Sequence, residues 1–241
     1  MIFGDKKSAN VLVSSDHGLM IVNRFDGDEN ANGHGQWLLD HGNGCVPEAF
    51  RSFEVLKEKP NPVIFDVGAN IGCFTTLLAR VLPNSTIHAF EPQRHVFQML
   101  SGNMAINNFY NVHASNCAVS NYCGTLEIDE PDPLQRCDFG TYSLVHQNTY
   151  TPSGRKRVCD VITLDKYVEK HNIERVDFIK IDVEGMDIDV LEGARKIIEA
   201  HKPALFVEHV TPYTSIKEQL QSIDFLQKYT FYYDERNVLL V

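Results

Sequence analysis

Asp66-Val67-Gly68-Ala69-Asn70-Ile71-Gly72 is the stretch of this chain best suited to binding chemistry. It follows a short apolar run, Val63-Ile64-Phe65, and opens a segment whose apolar residues recur at helical spacing. Glycines in such a turn let the backbone approach a ligand closely, and a helix start offers unpaired N–H groups. The pattern departs from the G-x-G-x-x-G of dinucleotide enzymes, because Asn70 stands at the second glycine and Cys73 at the third. A carboxylate at Asp66 repels phosphate and suits a cationic, amino-acid-like ligand. The plain alternative is an ordinary tight turn between a strand and a helix.

Three further acidic stations follow. Glu91, in Phe90-Glu91-Pro92, lies 19 residues beyond Gly72 and can accept two hydrogen bonds from a ribose diol. Ile179-Lys180-Ile181-Asp182-Val183-Glu184-Gly185 carries Asp182 and Glu184 to the carboxyl end of another apolar run. Two acids so spaced can bind a metal, hold an amine or position a hydroxyl; helix N-capping is the structural alternative. Phe206-Val207-Glu208-His209 adds an imidazole beside a carboxylate, a pair able to take a proton from a hydroxyl, although a single histidine is more often structural. No dedicated metal site is read: none of the six cysteines falls in a C-x-x-C pair or a zinc-like spacing, and reduced, packed thiols are expected.

The elements that must position these residues alternate. Strands are expected at 63–65, 86–90, 112–119, 176–181 and 204–207, with a short one at 125–129. Helices are expected at 71–82, 92–107, 164–171, 187–200 and 215–227, and a hairpin over 231–241. This rhythm means an α/β fold of Rossmann-like type, with a mostly parallel seven-stranded sheet, helices on both faces and an antiparallel hairpin at the end. In such sheets ligands bind beyond the carboxyl ends of the strands. Residues 1–60 read as an extension that shapes a substrate or cap region, with strands at 11–13 and 19–22, a loop at 26–35 and a helix at 47–59. Residues 61–241 read as the main domain. Polar residues 130–157, broken by Pro131, Pro133 and Pro152, read as a lid-like insertion.

Composition sets outer bounds. The 241 residues suit one domain with an extension, and 43% hydrophobic content supports a core. A net charge of −10 disfavours a nucleic-acid partner. No apolar stretch suggests a leader or a membrane span, so a soluble, cytoplasmic protein is expected. Oligomeric state and organism are not legible.

Taken in order, the motifs resemble those of the FkbM-type methyltransferases: the Asp66–Gly72 loop, Ala89-Phe90-Glu91-Pro92, Val161-Ile162-Thr163-Leu164-Asp165 and Ile179–Gly185. The resemblance covers about 60% of the chain, from Val63 to about His209. It implies S-adenosylmethionine as cofactor and O-methylation, often of sugar or polyketide hydroxyls. By position, Asp66, Gly68, Asn70 and Gly72 would wrap the cofactor, Glu91 would hold its ribose, and Asp182 would lie near the methyl donor. Asn116-Cys117-Ala118-Val119 is similar to the family's segment near the adenine, and Ser143 to a serine it places after an irregular loop, here a substrate contact. The base would be His209 with Glu208, or Glu184 or Asp182. A nicotinamide-dependent oxidoreductase and a non-catalytic cofactor-binding relative are the competing readings.

Overall fold

The computed structural model of the chain describes residues 2–3, 8–27, 33–42, 47–144, 152–208, 213–234 and 237–241. Its strands are β1 (Ile2–Phe3), β2 (Asn10–Ser15), β3 (Gly18–Asn23), β4 (Val63–Val67), β5 (Thr86–Phe90), β6 (Val112–Ser115), β7 (Ala118–Val119), β8 (Gly124–Pro131), β9 (Pro152–Ile162), β10 (Phe178–Ile181), β11 (Ala204–Glu208), β12 (Phe231–Tyr233) and β13 (Asn237–Leu240). Its helices are α1 (His34–His41), α2 (Pro47–Leu56), α3 (Cys73–Val81), α4 (Arg94–Ile106), α5 (Leu164–His171), α6 (Asp187–Gly193), α7 (Arg195–His201) and α8 (Tyr213–Ser222).

The main sheet has seven strands in the order β12-β13-β11-β10-β4-β5-β6. The five strands from β11 to β6 run parallel, β13 is antiparallel to β11, and β12, antiparallel to β13, runs in the same direction as the five. This is the expected architecture. The chain leaves central β4 towards β5 and β6, then returns to β10 on the other side, so a crevice opens where the two directions part. Alternate residues of each strand feed opposite cores. Phe65, Val67, Ile179, Ile181, Leu205 and Val207 pack with residues of α5 to α8. Ile64, Phe178 and Phe206 pack with Phe74 and Leu78 of α3, Leu56 of α2, Leu38 of α1, and Val11, Val13, Met20 and Val22 of the first hairpin. Burial on both faces explains why these strands read as apolar runs rather than alternating ones.

Local boundaries differ from the expectations where a polar or long-range tie intervenes. The run 112–119 is two strands in different sheets, parted at Asn116, whose Nδ2 donates to the carbonyls of Glu91 and Pro92 at 2.8 and 3.0 Å. Helix 187–200 is two helices meeting at Ala194, where the carboxylate of Asp165 accepts from the N–H groups of Lys196 and Ile197. Both ends of the 130–157 stretch are strand, because β8 pairs antiparallel with β9 as far as Pro131 and Pro152. The expected loop at 26–35 runs into α1, a helix the polar sequence concealed.

The outer edge of β3 is satisfied by side chains instead of a further strand. Asn107 Oδ1 accepts from Leu19 N–H at 3.1 Å and its Nδ2 donates to Leu19 O at 2.7 Å. Asn103 Oδ1 accepts from Ile21 N–H at 2.5 Å and its Nδ2 donates to Ile21 O and to Ile71 O. Two residues four apart on a helix are separated by about 6 Å, close to the spacing of about 6.8 Å between outward-facing residues of a strand. The two asparagines of α4 therefore cap an edge that would otherwise invite pairing. Asn103 also joins that hairpin to the Asp66–Gly72 loop. Asn103→Leu, which strands these backbone groups, should cost about 3 kcal/mol in urea unfolding; a loss under about 0.5 kcal/mol would mean the groups find other partners.

Candidate active site

The crevice holds a cavity of about 320 Å³. Its walls come from the loops after four parallel strands: Gly68 to Asn70 after β4, Glu91 to Gln93 after β5, Asp182 to Glu184 after β10, and Glu208 at the end of β11. Cys117 to Val119 form one side, Asp138 to Tyr142 form a roof, and His34 at the start of α1 completes the rim.

Gly68 is required by close backbone approach. Its φ is +82°, and a Cβ there would lie 1.7 Å from the carbonyl oxygen of Asp182. Asp182 N–H in turn donates to Val67 O at 3.0 Å, so the β4 and β10 loops touch through main chain alone. Gly68 and Ala69 N–H both donate to Phe90 O. Asn70 also has positive φ, a conformation asparagine tolerates, and its Oδ1 accepts from Ile71 N–H. The roof descends onto this loop: a Cβ on Gly140 would meet Asn70 Nδ2 at 2.9 Å.

Glu91 is buried against the cavity. Its Oε2 accepts from Asn70 N–H at 3.0 Å and its Oε1 from Gln93 N–H at 2.8 Å, which leaves each oxygen a second lone pair. Burial nonetheless pushes its pKa up to about 7. Gln93 Nε2 donates to Phe139 O at 2.8 Å and fastens the roof to the same loop.

Asp66 lies beneath the cavity, not on its wall. It is fully buried, accepts a hydrogen bond from the Thr75 hydroxyl, and has Lys180 Nζ 3.8 Å from its Oδ1. The strand register sets Lys180 directly opposite Asp66. Lys180 Nζ also lies 2.7 Å from Asp182 Oδ2 and faces the Phe74 ring. A cation that is only 3% exposed thus sits between two carboxylates, one below the floor and one in the wall. Gly72 lies outside the cavity too, as the left-handed residue before α3.

Ser143 does not line the cavity. Its Oγ donates to Glu184 O at 2.6 Å and ties the roof to the β10 loop. Glu184 does line it, in a left-handed conformation with φ +52°. Burial, then Asp182, Glu208, Asp187 and Asp138, push its carboxyl up to about 8. Cys117 and Ala118 line the far side, and burial pushes the Cys117 thiol up to about 12, so it serves as an apolar wall. His209 lies outside the described residues. The five described cysteines are all free. Among the described residues, no cluster of His, Cys, Asp and Glu is arranged to hold a metal ion, and no helix is long and apolar enough to cross a membrane.

Sequence reasoning missed His34, Gln93 and Lys180; the roof from Asp138 to Tyr142 falls within the 130–157 stretch read as lid-like, although none of these five residues was singled out. A signal existed for one: a lysine inside an apolar buried run needs a carboxylate partner, and Asp66 and Asp182 were both at hand. His34 carries no local signature.

The strand order, the crevice and the glycine loop define a class I, Rossmann-like methyltransferase fold. The solved FkbM methyltransferase of Methylobacillus flagellatus KT superposes with a TM-score of 0.53 at 18% identity, over 90% of this chain and 56% of that one. The model of the methyltransferase FkbM domain matches residues 66–233, and the chain belongs to that family. Methyltransferase sdnD of Sordaria araneosa is 29% identical over 168 residues, covering 58% of this chain and 63% of the relative. The 31-O-demethyl-FK506 methyltransferase FkbM of Streptomyces tacrolimicus is 28% identical over 157 residues, covering 56% and 60%. The chain thus spans about three-fifths of the length of these curated relatives.

Two outcomes follow from the geometry. Gly68→Ala should destabilise the fold by about 3 kcal/mol, because both the positive φ and the Asp182 carbonyl oppose a Cβ; an unchanged urea midpoint would refute this. The second concerns pH. Glu184 holds its proton to about pH 8, and Glu91, Asp187 and Asp26 hold theirs to about pH 7. The unfolded chain releases these protons near pH ~4. Stability from them is full below that value, declines while only the folded state stays protonated, and levels off above about pH 8. His88 and His95, pushed down to about 4, act in the opposite sense, but their effect is complete above pH ~6.5. The melting temperature of the ligand-free protein should therefore fall between about pH 6.5 and 8.5. Glu184→Gln should flatten the fall, and a rise over that interval would contradict the assignment.

Proposed function

We propose that the protein transfers a methyl group from S-adenosylmethionine to a hydroxyl oxygen of a carbohydrate or another small molecule. One observation carries the reading: a buried carboxylate, Glu91, is held by main-chain N–H groups of the β4 and β5 loops beside a glycine-pinched turn, where a ribose diol can reach its free lone pairs. The donor set fits the cofactor. Glu91 would hold the ribose, the Gly68–Asn70 backbone would follow the cofactor's contour, and Cys117 with Ala118 would offer an apolar face to the base. Asp182 would meet the positive charge of the amino-acid end, with Asp66 and Lys180 fixing it from below. When bound, the cofactor supplies a methyl group on a cationic sulfur, a good leaving group. The protein's task is alignment and exclusion of water, which the roof from Asp138 to Tyr142 would perform.

Support for a hydroxyl acceptor comes from the 31-O-demethyl-FK506 relative. The net charge of −10 weighs against nucleic acid, and free thiols suit a reducing, cytoplasmic setting. In this reading residues 61–241 are the methyltransferase domain and 1–60 an extension on the acceptor side.

Calorimetry separates the readings: S-adenosylhomocysteine should bind and NAD should not. Glu91→Gln should weaken S-adenosylhomocysteine about 10- to 100-fold, because an amide NH2 replaces one of the two oxygens that would accept from the ribose diol. Binding of NAD alone would favour an oxidoreductase. Binding of S-adenosylhomocysteine without transfer of labelled methyl to any sugar or macrolide hydroxyl would favour a non-catalytic relative.

A further inference from the structure

His34 lies far from every motif in the sequence, yet it lines the cavity. The tie that puts it there is Asp26. The buried carboxylate of Asp26 accepts from Gly35 N–H at 2.7 Å through Oδ2 and from Phe139 N–H at 3.0 Å through Oδ1. Its carbonyl accepts from Gln36 N–H at 2.8 Å. Asp26 and Cys137 further form a parallel bridge, with Gly27 N–H donating to Cys137 O and Cys137 N–H to Phe25 O. One side chain therefore caps the start of α1 and pins the roof beside it. The consequence is that His34 and Asp138 flank the same opening. Gly35 leaves no latitude, because a Cβ there would meet Asn23 O at 2.5 Å.

The Nδ1 atom of His34 is closed off from solvent and has no hydrogen-bond partner among the described residues, so Nε2, which is neither closed off nor bonded to them, is the nitrogen left to meet a ligand. An imidazole held at a cavity wall with a ring nitrogen unspent is available for a ligand's proton or hydroxyl. Three of the wall's carboxyl groups are less available. Asp182 is committed to Lys180 at 2.7 Å, and Asp138 Oδ1 accepts from Gly140 N–H at 2.8 Å. Glu184 keeps its own proton at neutral pH.

Resting on the reading of the cavity as a methyl-transfer site, we propose that His34 is the catalytic residue that receives the acceptor hydroxyl's proton. The acceptor oxygen gains the methyl carbon, the electron pair of the broken carbon–sulfur bond stays on sulfur, and the hydroxyl proton ends on the imidazole. Burial holds His34 below the ordinary histidine range, so the ring is neutral near pH 7. A weak base suffices, because an alcohol oxygen that is being alkylated becomes a strong acid. The carboxylates of Asp182 and Asp138 favour the imidazolium that forms, while Lys180 and His17 oppose it.

The test has one arm independent of turnover. NMR titration of the full chain should show a His34 ring that is neutral at pH 7 and titrates below the usual histidine range. Its signals should shift when S-adenosylhomocysteine is added. A ring that ignores S-adenosylhomocysteine, or is already charged at pH 7, overturns the proposal. The second arm uses methyl glucoside and methyl glucuronide as probe alcohols. His34→Gln should keep the melting temperature and S-adenosylhomocysteine affinity, lower kcat about 100-fold or more, and lose the acid limb of the kcat–pH profile. His34→Ala should regain part of the rate with added imidazole. Wild-type kcat in His34→Gln overturns the proposal. If the wild type methylates neither probe, the carbohydrate reading fails, and the titration alone decides whether His34 is poised as proposed.

Discussion

The carbonyl oxygen of Asp182 occupies the place where a side chain of residue 68 would begin. Central strand β4 and its neighbour β10 can stay paired to their carboxyl ends only because Gly68 lets the two loops meet there. Beyond that contact the loops diverge, one towards Glu91 and the other towards Glu184, and the cavity is the space between them. The ion set beneath depends on the same pairing. Lys180 faces Asp66 across the register and Asp182 from its own strand, so the charge at the wall is fixed by the sheet itself. A buried ion set of this kind contributes little net stability, but removing one member leaves the others uncompensated. Its value here is positional.

The remaining walls rest on polar ties from distant segments. Gln93 holds the roof at Phe139, Ser143 holds it at Glu184, and Asp26 holds it to α1. Each tie ends on main chain. The roof's course is therefore set by where carbonyl and N–H groups lie, and its side chains are left to face the cavity. The acidity of that interior, with Asp138, Asp182 and Glu208 on one opening, suits a cationic donor and penalises an anionic one.

The central half of the fold was legible because its signals are local. Val63-Ile64-Phe65 followed by Asp66 to Gly72 states a strand, a tight turn and a helix within ten positions, and Glu91 repeats the logic one strand later. Strand β10, expected from 176 and found from Phe178, followed from the same grammar. Other parts were set by partners far off in the chain. Asn116 breaks a run of β-formers because its amide serves Glu91 and Pro92. Helix α1 escaped notice because its sequence, HGQWLLDH, is short and polar, and its start is capped by Asp26 from outside the usual capping position. Asp66 was read as a wall residue and lies under the floor, since the strand's alternation points it towards α3 and Lys180. Ser143 was read as a substrate contact and instead spends its hydroxyl on Glu184 O. Asp66 was singled out from its type and spacing and Ser143 from the family resemblance, while the direction of each side chain depended on a contact that neither encodes.

The strand order also has a bearing on how the molecule is made. Strands β4, β5 and β6 are consecutive in the chain, so Gly68, Asn70 and Glu91 can come together as soon as the first half exists. The other wall must wait: Val63 and Asp177, which join the starts of β4 and β10, are 114 positions apart. During synthesis the apolar edge of β4 is thus exposed until β10 emerges to cover it, the kind of interval in which chains associate wrongly or recruit chaperones. A ribosome-bound chain ending near residue 175 would hold half a pocket and an unpaired central strand.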